Sequence, residues 1–334
     1  MTNPCPRHQR GAVTLAITLA LLAAMLITLW AANRNLLLEW RQSMNQTHAA
    51  AAFEAAAEAG LDWATAMLND GTRVGSDCRP SPLATRSFRE LQLDTSLASF
   101  APRGRHPACS REPAGWTCRC ADIAAGAAAG EPSFSLSVEA GAAVGQLRLV
   151  ASGRQRDASA QHTTLVELQP ALPHPPATAL TVRSASETAN AFFVRHFGLP
   201  RDWWQRQPAV HRLDCQGDCG EALAVAAAQG ITLVAFPGDV LLRGPLVLGT
   251  PERPMLIVAS GALHLQGAVQ LHGVVHAASL SWAAPSAIVR GALLSEGPAA
   301  GDASLDLARD AVVLEALQTR HGSFVRLPGS WRDF

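Results

Sequence analysis

A run of uncharged residues from Ala12 to Ala32 is the feature that most constrains the fold of this chain. At about 1.5 Å of rise per residue, a helix over this run spans the roughly 30 Å hydrocarbon core of a bilayer. Thr14, Thr18 and Thr28 lie in the run, and their hydroxyl groups can bond to backbone carbonyls one turn back. The sequence therefore predicts one transmembrane helix at residues 12–32.

The charges around this run predict its orientation. Arg7 and Arg10 precede it, and positively charged flanks stay on the cytoplasmic side of a membrane. Arg34 and Arg41 favour the opposite orientation, but the N-terminal flank is given more weight. The alternative of a cleavable signal peptide fits less well, because its apolar segment usually has about 7–15 residues. We expect the N-terminus in the cytoplasm and the chain after Arg34 across the membrane.

The helical pattern continues beyond the apolar run. No proline occurs between Arg7 and Arg79. Apolar residues recur every three to four positions after the run, which predicts a continuous helix to about residue 69, with Gly71 as its stop. The three carboxylates on another face of this helix, at positions 54, 58 and 62, fit a solvated ridge. The predicted packing stripe consists of Phe53, Ala57, Leu61, Ala64 and Leu68.

A short basic leader ending in Gln9-Arg10-Gly11, followed at once by an apolar helix with an amphipathic continuation, resembles a type IV prepilin. Within that superfamily, the segments QRGAVTLAITLALLAAMLITLWAANRN and QTHAAAAFEAAAEAGLDWA are similar to PilX-type minor pilins. The resemblance covers residues 7–69. It implies that prepilin peptidase cleaves between Gly11 and Ala12 and that Ala12 is then N-methylated.

Ala16 departs from the pattern of most pilins, which carry glutamate at the fifth position after cleavage. In the family, that carboxylate pairs with the terminal amine of a neighbouring subunit inside the apolar filament core. Such a pair is stable only because both charges are desolvated together. PilX-like minor pilins and the tip pseudopilin of type II secretion also lack the glutamate. The resemblance therefore implies a subunit that lies at the filament tip or initiates assembly.

The function implied by the resemblance is a minor pilin of a type IV pilus, with other minor pilins, the pilus assembly machinery and prepilin peptidase as partners. It implies a single pass through the inner membrane with periplasmic C-terminal domains, and later a place in the pilus at the cell surface. Two alternatives stay open: a tip pseudopilin of type II secretion, and a membrane-anchored periplasmic β-solenoid protein that binds or hydrolyses glycans.

The cysteines agree with export. Removal of the leader takes away Cys5 and leaves six cysteines after the membrane span, an even number typical of disulfides in an oxidising compartment. Two of them are close enough in sequence to close a local loop, and the other four allow three pairings. A zinc site with His106 is the rival, but Cys-x-Cys is not the usual zinc spacing. The disulfide candidates are Cys78, Cys109, Cys118, Cys120, Cys215 and Cys219.

The fold class predicted from these patterns is α+β. After the leader (1–11) and the pilin helix (12–69), residues 70–169 read as a Cys-rich loop region followed by a small antiparallel sheet. The loop region extends to residue 132, and the strands are predicted at 133–139, 145–152 and 161–168. A Pro-rich linker at 170–176 leads to a mixed α/β C-terminal module at 177–334.

The C-terminal module is expected to be rich in β-strands. A helix with a capping box at Ser184 and Glu187 is predicted to end at Gly198, and a second helix is predicted over 221–229. Three consecutive six-residue units begin at residues 261, 267 and 273, and this period predicts stacked β-solenoid rungs. A helix is expected between residues 301 and 322, with Asp302 as its N-cap, and a last strand over 323–327.

Candidate chemistry in the module is sparse. His264 and His276 could form a metal ladder, but a solvated strand face explains them more simply. Motifs for a serine hydrolase, a zinc protease or a P-loop do not occur, so we expect no catalytic site, no cofactor and no metal. With 27 basic and 27 acidic residues the net charge is zero, which argues against nucleic-acid binding. Weak calcium candidates are Asp302, Asp306 and Asp310, and Asp214, Asp218 and Glu221.

Overall fold

The computed structural model describes residues 9–96, 99–120, 131–156, 158–283, 287–301 and 305–333, without the side chains of 9–12, 56–58 and 333. The chain divides into two compact units, Met1–Ala51 and Ala52–Phe334. Residues 1–8 of the predicted leader, which include Cys5, lie outside the described residues. Asp302, the predicted N-cap, also lies outside them.

Helix α1 (Gln9–Glu54) is long and apolar enough to cross a membrane. Its side chains are exposed at every position from Val13 to Thr47. Two of the threonines in the apolar run bond as expected, because Thr18 Oγ1 donates to the carbonyl oxygen of Leu15 at 2.9 Å and Thr28 Oγ1 to that of Met25 at 2.9 Å. The described part of the first unit is therefore an exposed helix, and two of the threonine hydroxyls in its apolar run are satisfied within that helix.

The helix continues to Asn69, as the sequence predicts, but with a change of hydrogen bonding. A π-helical segment (Ala55–Gly60) joins α1 to α2 (Leu61–Asn69). Gly60 is required here, because a Cβ atom on it would lie 2.9 Å from the Cβ of Ala151 and 3.4 Å from the ring of Phe134. The helix ends where Asp70 turns to an extended conformation, one residue before the predicted stop at Gly71.

A seven-stranded antiparallel sheet covers this second part of the helix. Its order is β20-β7-β6-β5-β3-β4, and β21 pairs with β7. The three strands predicted in the head correspond to β5, β6 and β7. The sheet consists of β3 (Ala108–Glu112), β4 (Gly115–Arg119), β5 (Ser133–Ala140), β6 (Gln146–Gln155), β7 (Ala158–Pro170), β20 (Gly322–Arg326) and β21 (Arg332–Asp333).

Residues 70–132 are more regular than expected. Besides the β3–β4 hairpin, the described part contains α3 (Phe88–Gln92) and a small pair of strands, β1 (Leu93–Asp94) and β2 (Ala101–Pro102). The hairpin lacks a strong apolar alternation in sequence, and it is held by pairing with β5 and by a disulfide between two directly opposed residues, Cys109 and Cys118. The prediction of an irregular region was wrong there.

The core of the head forms between α2 and one face of this sheet. Leu61, Ala64 and Leu68 on α2 are fully buried, and Phe134 and Leu136 on β5 belong to the same cluster. Each large apolar side chain buried in this way contributes about 1.5–3 kcal/mol relative to exposure. The second part of the helix is therefore a structural element of the head.

The remaining strands form two parallel sheets. One has eight strands in the order β19-β17-β15-β13-β10-β9, with β12 pairing with β15 and β8 with β17; the other has the order β11-β14-β16-β18. The strands are β8 (Leu180–Val182), β9 (His211–Arg212), β10 (Leu233–Phe236), β11 (Val240–Arg243), β12 (Leu246–Leu248), β13 (Met255–Ala259), β14 (Ala262–Gln266), β15 (Val269–Ala277), β16 (Ser279–Trp282), β17 (Ile288–Ser295), β18 (Ala299–Gly301) and β19 (Asp306–Ala308).

The six-residue units do not stack on one another as predicted. The paired residues in the larger sheet are 18 positions apart along β13, β15, β17 and β19: Met255 pairs with Gly273, and Gly273 with Gly291. The units that begin at 261, 267 and 273 follow one another along the chain. Three units of six residues together equal the offset of 18 residues between paired strands, so a single unit is not a rung. Gly291 is needed at its place, because a Cβ atom there would overlap the carbonyl oxygen of Gly273.

The helices around the parallel sheets partly differ from expectation. The N-cap of α4 (Ala189–Phe197) is Thr188, whose hydroxyl accepts from the Ala191 amide at 3.2 Å, so the predicted capping box at Ser184 and Glu187 was wrong. The stop at Gly198 is present, with a left-handed φ of 72°. The helix expected between 301 and 322 is shorter, and its N-cap is Asp310. The other helices are α5 (Arg201–Trp204), α6 (Gly220–Gln229) and α7 (Ala311–Thr319).

The Pro-rich segment at 170–176 lies inside the second compact unit, Ala52–Phe334. Strand β20, which comes after the parallel sheets, pairs with β7, which comes before the segment. Leu172 within it is fully buried, and Trp204 Nε1 donates to the carbonyl oxygen of Ala171 at 3.1 Å. The structure therefore differs from the predicted boundary, because β20 returns to the head sheet.

Asn69 links the end of the helix to this returning strand. Its side chain is buried, accepts from the Phe324 amide at 2.7 Å and donates to the Phe324 carbonyl at 2.9 Å. We predict that Asn69→Ala lowers the free energy of unfolding by about 2–4 kcal/mol, because both Phe324 groups lose a partner in a buried place. Urea unfolding of the full chain in detergent tests this. Asn190→Ala, at an exposed helical position, is the control and should change little.

Candidate functional site

The N-terminal helix carries most of the residues that the sequence singled out. Gly11 and Ala12 lie in α1, and their side chains are outside the described part of the structure. Ala16 is exposed on α1, and the first carboxylate after Ala12 is that of Glu39. Because burial of apolar surface drives association, an exposed apolar helix of this length fits a lipid phase or neighbouring helices.

The predicted packing stripe divides between two environments. Leu61, Ala64 and Leu68 are buried inside the head, and the side chain of Ala57 lies outside the described residues. Phe53 is 40% exposed at the edge of the head. Its ring lies edge-on to His162, with centroids 4.1 Å apart, and His162 is stacked on Trp331 at 5.1 Å. The C-terminal part of the stripe, from Leu61 to Leu68, therefore packs within the head. Phe53 lies in an aromatic cluster at the edge of the head.

All six cysteines that follow the apolar run form disulfides. The pairs are Cys78–Cys120, Cys109–Cys118 and Cys215–Cys219. The last pair closes the local loop that its spacing suggested. The first two pairs use three cysteines of the zinc alternative, so Cys109, Cys118 and Cys120 have no thiolate left to bind a metal there.

The disulfides differ in the length of chain that they close. Cys78 and Cys120 are 42 positions apart, whereas Cys215 and Cys219 are 4 apart. Because a longer closed loop restricts the unfolded chain more, the double variant Cys78→Ala/Cys120→Ala should lose about 4 kcal/mol of stability and Cys215→Ala/Cys219→Ala about 2 kcal/mol. Denaturant unfolding of both variants checks the order. Equal losses would contradict it.

Two of the carboxylate candidates for calcium, Asp218 and Asp306, are bound by the protein itself. Asp218 Oδ1 accepts from the amides of Gly220 at 2.9 Å and Arg243 at 3.3 Å. Asp306 forms two hydrogen bonds with the guanidinium of Arg290, at 2.9 and 2.6 Å, and this lowers the pKa of Asp306. Among the described residues, no group of three or more histidines, cysteines or carboxylates could hold a metal ion.

His264 and His276 do not form a ladder. His264 is exposed on β14 and bonds to the Ser281 hydroxyl. His276 lies on β15 in the other sheet and is completely buried, with Nε2 at 3.3 Å from a carboxylate oxygen of Glu296. The three six-residue units suggested that the two histidines occupy equivalent positions, but the histidines belong to different sheets.

The surroundings of His276 form a buried polar cluster that sequence reasoning missed. Glu296 is buried and forms an ion pair with Arg201. The rings of Phe193 and Phe197 lie edge-on to His276, with centroids at 4.9 and 5.5 Å. Burial, as the largest cause, and the charge of Arg201 together lower the pKa of His276 to about 3. Such a neutral, enclosed imidazole fits a structural role, and no sequence signal pairs these residues, because they come from distant segments.

The buried histidine predicts an acid dependence of stability. The pKa of His276 is about 3 in the folded chain and about 6.5 when unfolded, so the unfolded chain binds one more proton between these values. Its contribution is therefore complete above pH 6.5 and is lost as the pH falls towards 3, at up to about 1.4 kcal/mol per pH unit. His276→Gln should flatten the fall of unfolding free energy between pH 6.5 and 4.

The matched control is His264→Gln, which removes an exposed histidine from the neighbouring parallel sheet. Chemical unfolding of wild type and both variants at several pH values gives the slopes. A His276→Gln slope equal to that of wild type would contradict the assignment.

Comparison with known proteins adds one neighbour. No protein-family model matches the sequence, and no curated protein matches it. Among solved structures, the chain is similar to the competence-associated pilin ComZ from Thermus thermophilus, with 10% sequence identity and a TM-score of 0.24. The match covers 86% of this chain and 98% of ComZ. A TM-score of 0.24 supports no statement about a shared fold or function, which rests on the chain's own residues.

Proposed function

We propose that the protein is a minor pilin of a type IV pilus, held in the inner membrane by α1 before it is packed into the filament. The single observation that carries this is the construction of the helix. Its side chains are exposed from Val13 to Thr47, and its continuation to Asn69 is the core helix of the head. A membrane can cover the first part before assembly, and the helices of neighbouring subunits can cover it afterwards.

The orientation in this proposal has a cytoplasmic N-terminus and a periplasmic head. Arg7 and Arg10 support it through the distribution of positive charge, and the three disulfides support it through the redox state of the compartment. Both arguments give the same orientation of the chain. They are independent, because one rests on residues before the apolar run and the other on residues after it.

Ala16 supports a place at the filament tip or in initiation. A subunit with an apolar side chain here has no carboxylate to neutralise the terminal amine of a neighbour, and an unpaired charge in an apolar core is costly. The C-terminal part then lies free for contact with a surface, DNA or partner proteins. We propose that its parallel sheets, with their 18-residue offset, form a short solenoid that displays such a contact surface, and that the protein acts by binding and not by catalysis.

Two other functions use the same features. A tip pseudopilin of type II secretion has the same helix and the same lack of glutamate, and differs in the machine that it serves. A membrane-anchored periplasmic protein that binds or hydrolyses glycans is favoured by the exposed polar residues on the smaller parallel sheet, such as His264 and Gln266. That protein would keep its first eleven residues, whereas a pilin or pseudopilin loses them.

Leader processing tests the proposal. We expect prepilin peptidase to remove residues 1–11, so the mature chain begins at N-methylated Ala12. Intact-mass and N-terminal peptide analysis of membranes with and without the peptidase measures this. Gly11→Val should block cleavage, and Thr2→Val, a change elsewhere in the leader, should not. A chain that retains Met1 when the peptidase is present would contradict the proposal.

The role of position 16 can be tested separately. Ala16→Glu should supply the missing carboxylate and raise the amount of this chain per filament several-fold, because bulk subunits use that pair. Quantitative mass spectrometry of sheared filaments measures the ratio to the major subunit. Ala20→Glu places the charge one turn further along the same helix and is the control, since it lies too far along to reach the same amine. An equal rise in both variants would contradict the pairing argument.

A further inference from the structure

A cleft of about 350 Å³ lies within the second compact unit. Its walls come from the end of α2, the start of α3, the loop after β1, the start of β10, the loop before β13 and the junction of α7 with β20. The volume falls in the range of small-ligand sites, about 300–1,000 Å³. The cleft is therefore large enough for a small polar group and is built from many separate segments.

Arginine side chains supply a small excess of positive charge in this cleft. Five guanidinium groups line it, from Arg86, Arg89, Arg103, Arg253 and Arg320. Four carboxylates line it as well, so the count of formal charges gives an excess of one positive charge before any pairing is considered. Whether the cleft can bind an anion depends on which of these charged groups already have partners within the protein.

Three of the four carboxylates are occupied by donors of the protein. Glu90 accepts from the Ser87 amide at 2.9 Å and forms an ion pair with Arg253. Asp94 accepts from the Ser96 hydroxyl at 2.7 Å and forms an ion pair with Arg103 at 3.4 Å. The third, Asp70, accepts from a backbone amide two residues ahead at 2.8 Å. These contacts neutralise two of the five guanidinium groups.

The other three arginines have no carboxylate partner within ion-pair distance in the described part of the chain. Arg89 donates to the carbonyl oxygens of Leu68 at 2.7 Å and Gly322 at 2.9 Å, where it stabilises the end of α2. The side chains of Arg86 and Arg320 have neither an ion pair nor a hydrogen bond among the described residues. Their donors are free to bind a ligand.

The carbonyl groups at the ends of α6 and α7 accept hydrogen bonds from backbone amides, and not from Arg86 or Arg320. The carbonyl of Ala226 near the end of α6 accepts from the Ile231 amide at 3.0 Å, and that of Gln229 accepts from the Arg73 amide at 2.8 Å. At the end of α7, the carbonyl of Ala316 accepts from two backbone amides. Backbone groups therefore satisfy these carbonyls, and the guanidinium groups keep their hydrogen-bonding capacity.

His321 also lines the cleft, and the charges of the arginines affect its pKa. Burial, as the largest cause, and the charges of Arg89, Arg320 and Arg253 together lower its pKa to about 4. Its ring lies 3.4 Å from the Thr232 hydroxyl through Nδ1 and 3.4 Å from the Glu252 carbonyl through Nε2. A neutral imidazole surrounded by guanidinium groups marks a site where a negative charge is favourable.

We propose that this cleft binds an oxyanion of the phosphate or sulfate class, with Arg86 and Arg320 as its principal ligands. A guanidinium group presents parallel N–H donors that match such oxygens, and charge-assisted hydrogen bonds of this kind are the strong ones. The site goes beyond the proposed filament role, because Arg86 and Arg320 lie outside the exposed part of the helix, Val13 to Thr47, that would be packed in the filament.

Isothermal titration calorimetry of the full chain in detergent tests this, with inorganic phosphate and inorganic sulfate as probes at constant ionic strength. We expect at least one anion to bind, and Arg86→Gln and Arg320→Gln each to weaken binding about tenfold or more. The matched control is Arg154→Gln, an exposed arginine on β6 outside the cleft, which should leave binding unchanged.

Thermal unfolding without added anion shows whether the variants fold. Arg86 is exposed, so Arg86→Gln should keep the wild-type midpoint and remain informative even if Arg320→Gln is destabilised. Binding of neither anion to the folded wild type would overturn the proposal. An equal loss of affinity in Arg154→Gln and in the cleft variants would overturn it as well, because the binding would then be a general effect of surface charge.

Discussion

The packing of one helical segment against one sheet is the constraint on which the rest of the structure depends. The same continuous helix must be soluble in lipid at its start and must supply the core of a folded head at its end. The change occurs between Ala52, the first fully buried side chain among the described residues, and Gly60, where the backbone lies close to Ala151. Beyond that point, Leu61, Ala64 and Leu68 bury their side chains in the head.

The return of β20 to the head sheet joins the head and the parallel sheets in one compact unit. β20 pairs with β7, and the buried Asn69 bonds both backbone groups of Phe324, so the end of the chain is tied to the end of the helix. This arrangement surrounds the arginine-lined cleft with segments that are far apart in sequence. Its position depends on long-range pairing, which costs more chain entropy than local contacts and also fixes the relative placement of the segments.

The sequence predicted what depends on local pattern. The apolar run, its continuation to Asn69 and strands β5 to β7 are visible as periodicity, and the even number of cysteines after the run indicated disulfides. It did not predict what depends on distant partners. The β3–β4 hairpin has a polar sequence and is held by β5 and by the Cys109–Cys118 disulfide. The six-residue units in the sequence did not indicate that paired residues of the larger parallel sheet are 18 positions apart. The cleft combines arginines that no spacing rule connects.

We propose that the exposed part of the helix, from Val13 to Thr47, serves filament assembly and is not a permanent anchor. The most direct measurement is quantitative mass spectrometry of filaments sheared from the cell surface, compared with the inner membrane of the same cells. If the helix serves assembly, filaments contain the chain, starting at Ala12, in a small amount relative to the major subunit. A chain found only in the membrane fraction, with residues 1–11 intact although prepilin peptidase is active, would contradict it.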